Sequence, residues 1–152
     1  MKIMKRTKRS FFGAVAASFS GGSAASARAS FEIHHSDTAW RRRQFRVLRR
    51  GATEPPFASA LLNERRQGSF DCAGCGSPLF SSSTKYDSGT GSPSFFMPLD
   101  GAVAINIDAR NEVHCRRCGG HLGHVFDDGP KPTGLRYCMN GAALVFQHND
   151  LS

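Results

Sequence analysis

No stretch of the sequence approaches the ~20 continuous apolar residues that a membrane-spanning helix needs, which excludes stable membrane insertion by that route. Charge is sparse as well. Only 21% of residues are charged, too few for a disordered chain that also carries twelve Phe. There are five cysteines, an odd number, so a scaffold of fully paired disulfides is not expected. Residues 1–29 contain no acidic side chain, yet they hold Lys2, Lys5, Arg6, Lys8, Arg9 and Arg28. Taking those six from the net charge of +8 leaves +2 for residues 30–152, which removes most of the case for a nucleic-acid partner. At 152 residues the chain suits one ordinary domain and cannot build two full cores.

The acid-free start reads as an address. A basic stretch is followed by a short apolar run from Phe11 to Phe19, then by small residues ending in Ala27-Arg28-Ala29. That order is expected of a signal peptide cleaved after Ala29, leaving residues 30–152 as the mature domain. Thr7-Lys8-Arg9-Ser10-Phe11-Phe12 is similar to a twin-arginine export signal with Lys8 in place of the first Arg. Export to the periplasm is the expectation. An organellar transit peptide is the alternative, because the segment is also Ser-rich.

The rest of the chain changes texture at Gly68. Before it, Asp37 to Arg50 places Trp40, Phe45 and Leu48 on one side of a short amphipathic helix, with Asp37 as cap and the arginines in water. Thr53 to Phe57 is extended by its two prolines, and Ala60 to Arg66 has room for one or two helical turns. Beyond Gly68, glycine and proline separate short apolar runs at Leu79-Phe80, Phe95-Phe96, Val103–Ile107 and Ala142–Phe146. This pattern predicts antiparallel β-structure, and Val103-x-Ile105-x-Ile107 alternates as a half-buried strand does.

The cysteines divide as four plus one. Cys72-Ala-Gly-Cys75-Gly and Cys115-Arg-Arg-Cys118-Gly form two C-x2-C turns, each able to present two thiolates to one metal. Together they suit one structural zinc per chain, because four sulfurs leave no open coordination position. Redox disulfides within each pair, or cross-links between pairs, are the alternatives. Cys138 is left over. A lone cysteine is by default an inert small hydrophobe, but Arg136 precedes it and His121 and His124 lie upstream. Such neighbours favour a reactive thiolate if the fold brings them together.

These stretches resemble a known family. Residues 72–95 (CAGCGSPLFSSSTKYDSGTGSPSF) and 112–146 (EVHCRRCGGHLGHVFDDGPKPTGLRYCMNGAALVF) closely resemble the B-type methionine-R-sulfoxide reductases, as does FRVLRRGATEPPF at 45–57. The resemblance implies a mainly β fold of two antiparallel sheets with short N-terminal helices, stapled by a four-cysteine zinc site. It implies reduction of methionine-R-sulfoxide, with Cys138 as nucleophile, His124 as proton donor, and His121 and Asn140 positioning substrate or water. Arg136 and Phe126 fall within the same motifs, and Phe95 or Phe126 is expected to line the substrate pocket. Oxidised peptides or proteins are the implied substrates, and the implied role is repair under oxidative stress.

Two departures qualify the resemblance. Many members carry a second, resolving cysteine where this chain has Thr90. No spare thiol remains, so a thioredoxin-like external reductant is implied. The family's Gly-Trp-Pro-Ser-Phe stands here as Gly91-Ser92-Pro93-Ser94-Phe95, and Ser92 removes an aromatic wall from the substrate site. A zinc-stapled β-domain that binds a ligand or partner, its catalysis impaired by Ser92, is therefore the alternative function.

Overall fold

A computed structural model describes residues 31–34, 36, 42–107 and 110–149. The leader, the Asp37 cap and Trp40 lie outside the described residues. The helix is α1 (Arg42–Arg50), and it buries Val47 and Leu48 while Phe45 stays half-buried. The apolar contact therefore runs through Val47 and Leu48, rather than through the Phe45–Leu48 spacing read from sequence. Arg46, Arg49 and Arg50 are exposed. The helix stops because Gly51 adopts φ 61°, letting the Gly51 and Ala52 amides donate back to Val47 and Arg46 carbonyls at 3.1 and 3.0 Å. Only one helical turn forms in the next segment, a 3-10 turn at Ala60–Asn63 capped by the Ser59 hydroxyl.

The remainder is antiparallel β-structure in two sheets, as expected. One sheet has three strands in the order β2-β1-β9: β1 is Gly68–Cys72, β2 is Pro78–Ser81 and β9 is Leu144–His148. The other has six strands, in the order β3-β4-β8-β7-β6-β5. Its first members in chain order are β3 (Lys85–Tyr86), β4 (Ser94–Phe95) and β5 (Val103–Asn106). Its others are β6 (Glu112–Cys115), β7 (His121–Phe126) and β8 (Arg136–Met139). α1 packs against β7 and the 3-10 turn Gly141–Ala143.

Aromatic rings join the sheets. Phe80 of β2 stacks on Phe95 of β4 at 4.3 Å between centroids, and Phe70 of β1 meets Phe95 edge-on at 5.0 Å. All three are fully buried. Offset stacks and edge contacts at these separations add to the area buried by each ring. The register explains why Phe95 points inward: it pairs with buried Tyr137, while its neighbour Ser94 pairs with Cys138 on the opposite face.

Two strand expectations need correction. Ala142–Phe146 is not one strand, because Gly141–Ala143 forms a 3-10 turn before β9 begins at Leu144. Val103–Ile107 alternates in sequence but not in burial: β5 ends at Asn106, Val103 alone on it is half-buried, and Ile105 and Ile107 are 43% and 79% exposed. β5 is the outermost strand of its sheet, and alternation fixes which face a residue takes without supplying a layer to cover it.

Phe80→Ala should cost about 3–5 kcal/mol of stability, because it removes a fully buried ring stacked on Phe95 in the intersheet cluster. Urea unfolding should show a lower midpoint with an unchanged slope. A loss below about 1 kcal/mol would mean that the rings do not carry the sheet contact.

Candidate active site

The cysteine cluster ties the ends of the two sheets together. Cys72 ends β1 and Cys115 ends β6, and each begins a turn of the same construction. The Gly76 amide donates to the Cys72 carbonyl at 2.8 Å, and the Gly119 amide donates to the Cys115 carbonyl at 2.9 Å. Both glycines have positive φ, 73° and 68°, which side chains with a Cβ rarely adopt. The sulfurs pair across the turns, Cys72 with Cys118 and Cys75 with Cys115, each at 3.6 Å. This is far from a disulfide bond length, and all the cysteines are free. It is close to the edge of a tetrahedral zinc–sulfur site, about 3.8 Å for bonds of about 2.3 Å.

One ligand atom from each of the four lies within 4.8 Å of the others, so the cluster could hold a metal ion. The protonation chemistry fits a cation. Neighbouring thiols of Cys118 and Cys72 hold Cys115 down to about 2. Cys72 is pushed well above the usual thiol range by its hydrogen bonds to Cys115 and Cys118, and further by burial. Without a positive centre, the cluster accepts one thiolate at the expense of the next.

The fifth cysteine belongs to a different place. Cys138 lies mid-sheet on β8, half-buried, between Ser94 of β4 and His124 of β7 as its cross-strand partners. Cross-strand partners share a face, so their side chains stand beside the sulfur. The row continues to Tyr86 beyond Ser94 and to Glu112 beyond His124. Thr90 approaches from the loop before β4, its hydroxyl 3.8 Å from the Cys138 sulfur. Ser88 links this hydroxyl to buried Ser94, at 2.8 and 2.7 Å.

His121 reaches the same face by an irregularity. It stands three positions before His124, so a regular strand would turn the two rings to opposite faces. The β6–β7 register instead shifts between Val113 and His114, with Gly123 opposite Val113 and His121 opposite His114. Leu122 is the extra residue, and this bulge turns His121 back beside His124, with ring centroids 5.4 Å apart. Asn140 holds the bulge. Its backbone and side-chain amides both donate to the Leu122 carbonyl, at 2.8 and 3.0 Å, while its side-chain oxygen accepts from the Glu54 amide at 2.7 Å.

Glu112, which the sequence reading left without a role, bonds His121 through Oε1 to Nδ1. A carboxylate there keeps the ring proton on Nδ1 of the neutral imidazole, leaving Nε2 as an acceptor. That Nε2 is buried with no hydrogen-bond partner among the described residues. Burial pushes His121 below the ordinary histidine pKa, and Glu112 opposes the shift. The ring is therefore neutral near pH 7.

The other expected residues divide. Arg136 lies two residues before Cys138, hence on its face, and its guanidinium stands 4.3 Å over the Phe126 ring. Its charge is committed to Asp128 through two bonds of 2.8 and 2.9 Å. Phe126 is 42% exposed and pairs with Arg136, so it can meet a ligand. Ser92 is half-buried and precedes Pro93, whose carbonyl accepts from the Met139 amide beside Cys138. Phe95 is the correction. It has no exposed surface, because strand alternation sends it into the core between Phe70 and Phe80. A hollow of about 420 Å³ is lined by Tyr86, Asp87, Ser88, Thr90, Asp128 and Arg136; Cys138 is not among its walls, and Thr90 is the residue that borders both.

Known proteins share this arrangement of sequence. Residues 40–148 match the SelR domain. The chain belongs to the SelR domain family. A relative from Leptospira interrogans, a peptide methionine sulfoxide reductase MsrB, is 50% identical over 127 residues, covering 77% of this chain and 97% of its own. Another MsrB, from Agrobacterium fabrum, is 47% identical over 126 residues, 76% of this chain and 93% of its own. MsrB proteins from Acinetobacter baumannii are 45% identical over 123 residues, 74% of this chain and 88% of theirs. The matched SelR residues contain both cysteine turns, the bulge and Cys138.

For His121, the unfolded chain has the higher affinity for the ring proton, with a pKa of about 6.5. The histidine's contribution to stability is thus complete above that value and is lost as pH falls toward the folded pKa. An NMR titration should place the His121 midpoint below 6.5. Glu112→Gln should lower it further, since the carboxylate opposes the shift; a rise in that variant would overturn the assignment.

Proposed function

We propose that this chain reduces methionine-R-sulfoxide in oxidised peptides or proteins to methionine, with the Cys138 thiolate as nucleophile. The observation that carries this reading is the register Ser94–Cys138–His124, which sets an imidazole directly beside a half-buried sulfur. The names of the MsrB relatives support the reaction class. The R epimer and the intermediate follow from the family resemblance and from the chemistry of the residues.

A sulfoxide sulfur is electrophilic but holds its oxygen until that oxygen is protonated. The Cys138 thiolate attacks the sulfur while His124 gives a proton to the oxygen, a role imidazole fills because both its states are accessible near neutrality. The protonated oxygen passes as hydroxyl from the substrate sulfur to the Cys138 sulfur while the transient bond between the two sulfurs breaks, and methionine leaves. Cys138 becomes a sulfenic acid, oxidised by the two electrons that the substrate gained. Neutral His121, with its Nε2 acceptor, orients substrate or water, and Asn140 serves by fixing the bulge that presents His121.

Regeneration needs thiols from outside. Thr90 occupies the place near Cys138 from which a resolving cysteine would act, and its hydroxyl cannot form a disulfide. One external thiol condenses with the sulfenic acid, releasing water, and a second thiol breaks the mixed disulfide to restore Cys138. A thioredoxin-like dithiol supplies both. The four remaining cysteines hold one structural zinc, which braces the ends of the two sheets and takes no part in the chemistry. The basic, acid-free leader supports export to the periplasm, with residues 30–152 as the working domain.

A single-turnover assay of the reduced, zinc-loaded chain against each epimer of a peptide methionine sulfoxide tests the reading. The expectation is one methionine per chain from the R epimer alone, none in Cys138→Ser, and one sulfenic acid in the product enzyme. Failure with both epimers, with zinc bound and the fold intact, would favour the ligand-binding alternative and point to the missing aromatic wall at Ser92. An internal disulfide in the oxidised enzyme would overturn the external-thiol step.

A further inference from the structure

A second set of metal-ligand side chains stands away from the cysteines and has no part in the reaction above except through His121. Glu112 and His114 are two apart on β6, so they share a face, and His121 lies directly across from His114 on β7. Glu112 places one carboxylate oxygen against His121 Nδ1 and the other 3.4 Å from His114 Nε2. One ligand atom from each of the three lies within 4.8 Å of the others. For a cation bound at about 2.1 Å by nitrogen and oxygen, tetrahedral ligand atoms lie about 3.4 Å apart, which matches the His114–Glu112 separation, while the closer His121–Glu112 hydrogen bond would open to admit the ion.

We propose that Glu112, His114 and His121 form a second binding site for a divalent transition metal, and that its occupancy inhibits the Cys138 chemistry. Two imidazoles and one carboxylate suit zinc, cobalt or nickel better than the hard cations magnesium and calcium, which prefer all-oxygen sets. Three protein ligands leave a position open. The side chains of His114 and Glu112 are 25% and 21% exposed, so an ion can enter from solvent, while His121 is 5% exposed and already locked by the bulge. The groups facing the His121 ring are Glu112, His114 and His124, so Glu112 is the one carboxylate among them to meet the incoming charge.

The consequence follows from the two nitrogens of one ring. In the metal-free state the His121 proton sits on Nδ1 toward Glu112, and Nε2 accepts. A metal taking Nδ1 displaces that proton, and the neutral ring then carries its proton on Nε2. The nitrogen on the buried side changes from acceptor to donor, which reverses the orientation it imposes on whatever it binds. This inhibitory half rests on the reductase reading, whereas the binding half does not.

The experiment is a Co2+ titration of the full chain with one zinc already on the four cysteines. A second equivalent should bind with weak ligand-field bands and no thiolate-to-metal charge transfer. His114→Ala should weaken that second equivalent by more than about 100-fold, beyond the usual cost of a lost outer-shell partner, while the first zinc and the fold remain. No second equivalent, undiminished binding in His114→Ala, or charge-transfer bands showing that Cys138 or the cluster took the ion would each overturn the site. In single turnover, Co2+ should slow the wild-type chain and leave His114→Ala unaffected. Equal rates with and without bound Co2+ would overturn the inhibition and leave the site standing. A chain inactive without Co2+ would count against the reductase reading alone.

Discussion

Four sulfurs set the frame on which the site depends. Cys72 and Cys75 lie at the end of the three-stranded sheet, and Cys115 and Cys118 follow β6 of the six-stranded one. Their convergence fixes the distance between the sheets at one edge, while the stacked rings of Phe80 and Phe95 fix it in the interior. With both constraints in place, β6 cannot slide relative to its neighbours. Register is what the proposed chemistry needs, because a slip by one residue would turn Cys138 or His124 to the other face.

The reactive face is built by backbone irregularity as much as by side-chain choice. A bulge at Leu122 brings two histidines together that ordinary strand parity would separate. Asn140 keeps it in place by binding one carbonyl twice, and joins the same point to the Glu54 segment. The site therefore shares its anchor with the loop that follows α1. The Glu54 carboxylate also accepts from the Ala142 amide at 3.2 Å, so two contacts tie this loop to the segment that holds the bulge.

Much of this was readable from the residues. Two identical Cys-x2-Cys-Gly turns specify their own geometry, because each glycine has to take a positive φ for the turn to close. The glycine-punctuated apolar runs gave the sheet class for a similarly local reason. The bulge was not readable, since an H-x2-H spacing looks the same in a strand, a helix or a loop. Phe95 was misplaced for a related cause: an aromatic next to a motif says nothing about which side of the sheet it takes until the register with β8 is known. Glu112 carried no signal of its own, as a carboxylate two residues before a histidine is common on any strand. Ile105 shows the opposite limit, an apolar alternation in sequence that the folded edge strand leaves exposed.

β5 has one further consequence. It is one rim of its sheet, paired with β6 on one side and with no described strand on the other, and Ile105 is exposed on it. No lysine, proline or charged side chain interrupts Val103–Asn106. A rim of that kind is a template for a second rim, so concentrated or freshly refolded material will tend to join edge to edge there. Val103 on this rim pairs directly with Cys115 of the sulfur cluster, so edge association would act on the strand beside the metal ligands, whereas the thiol lies three strands away.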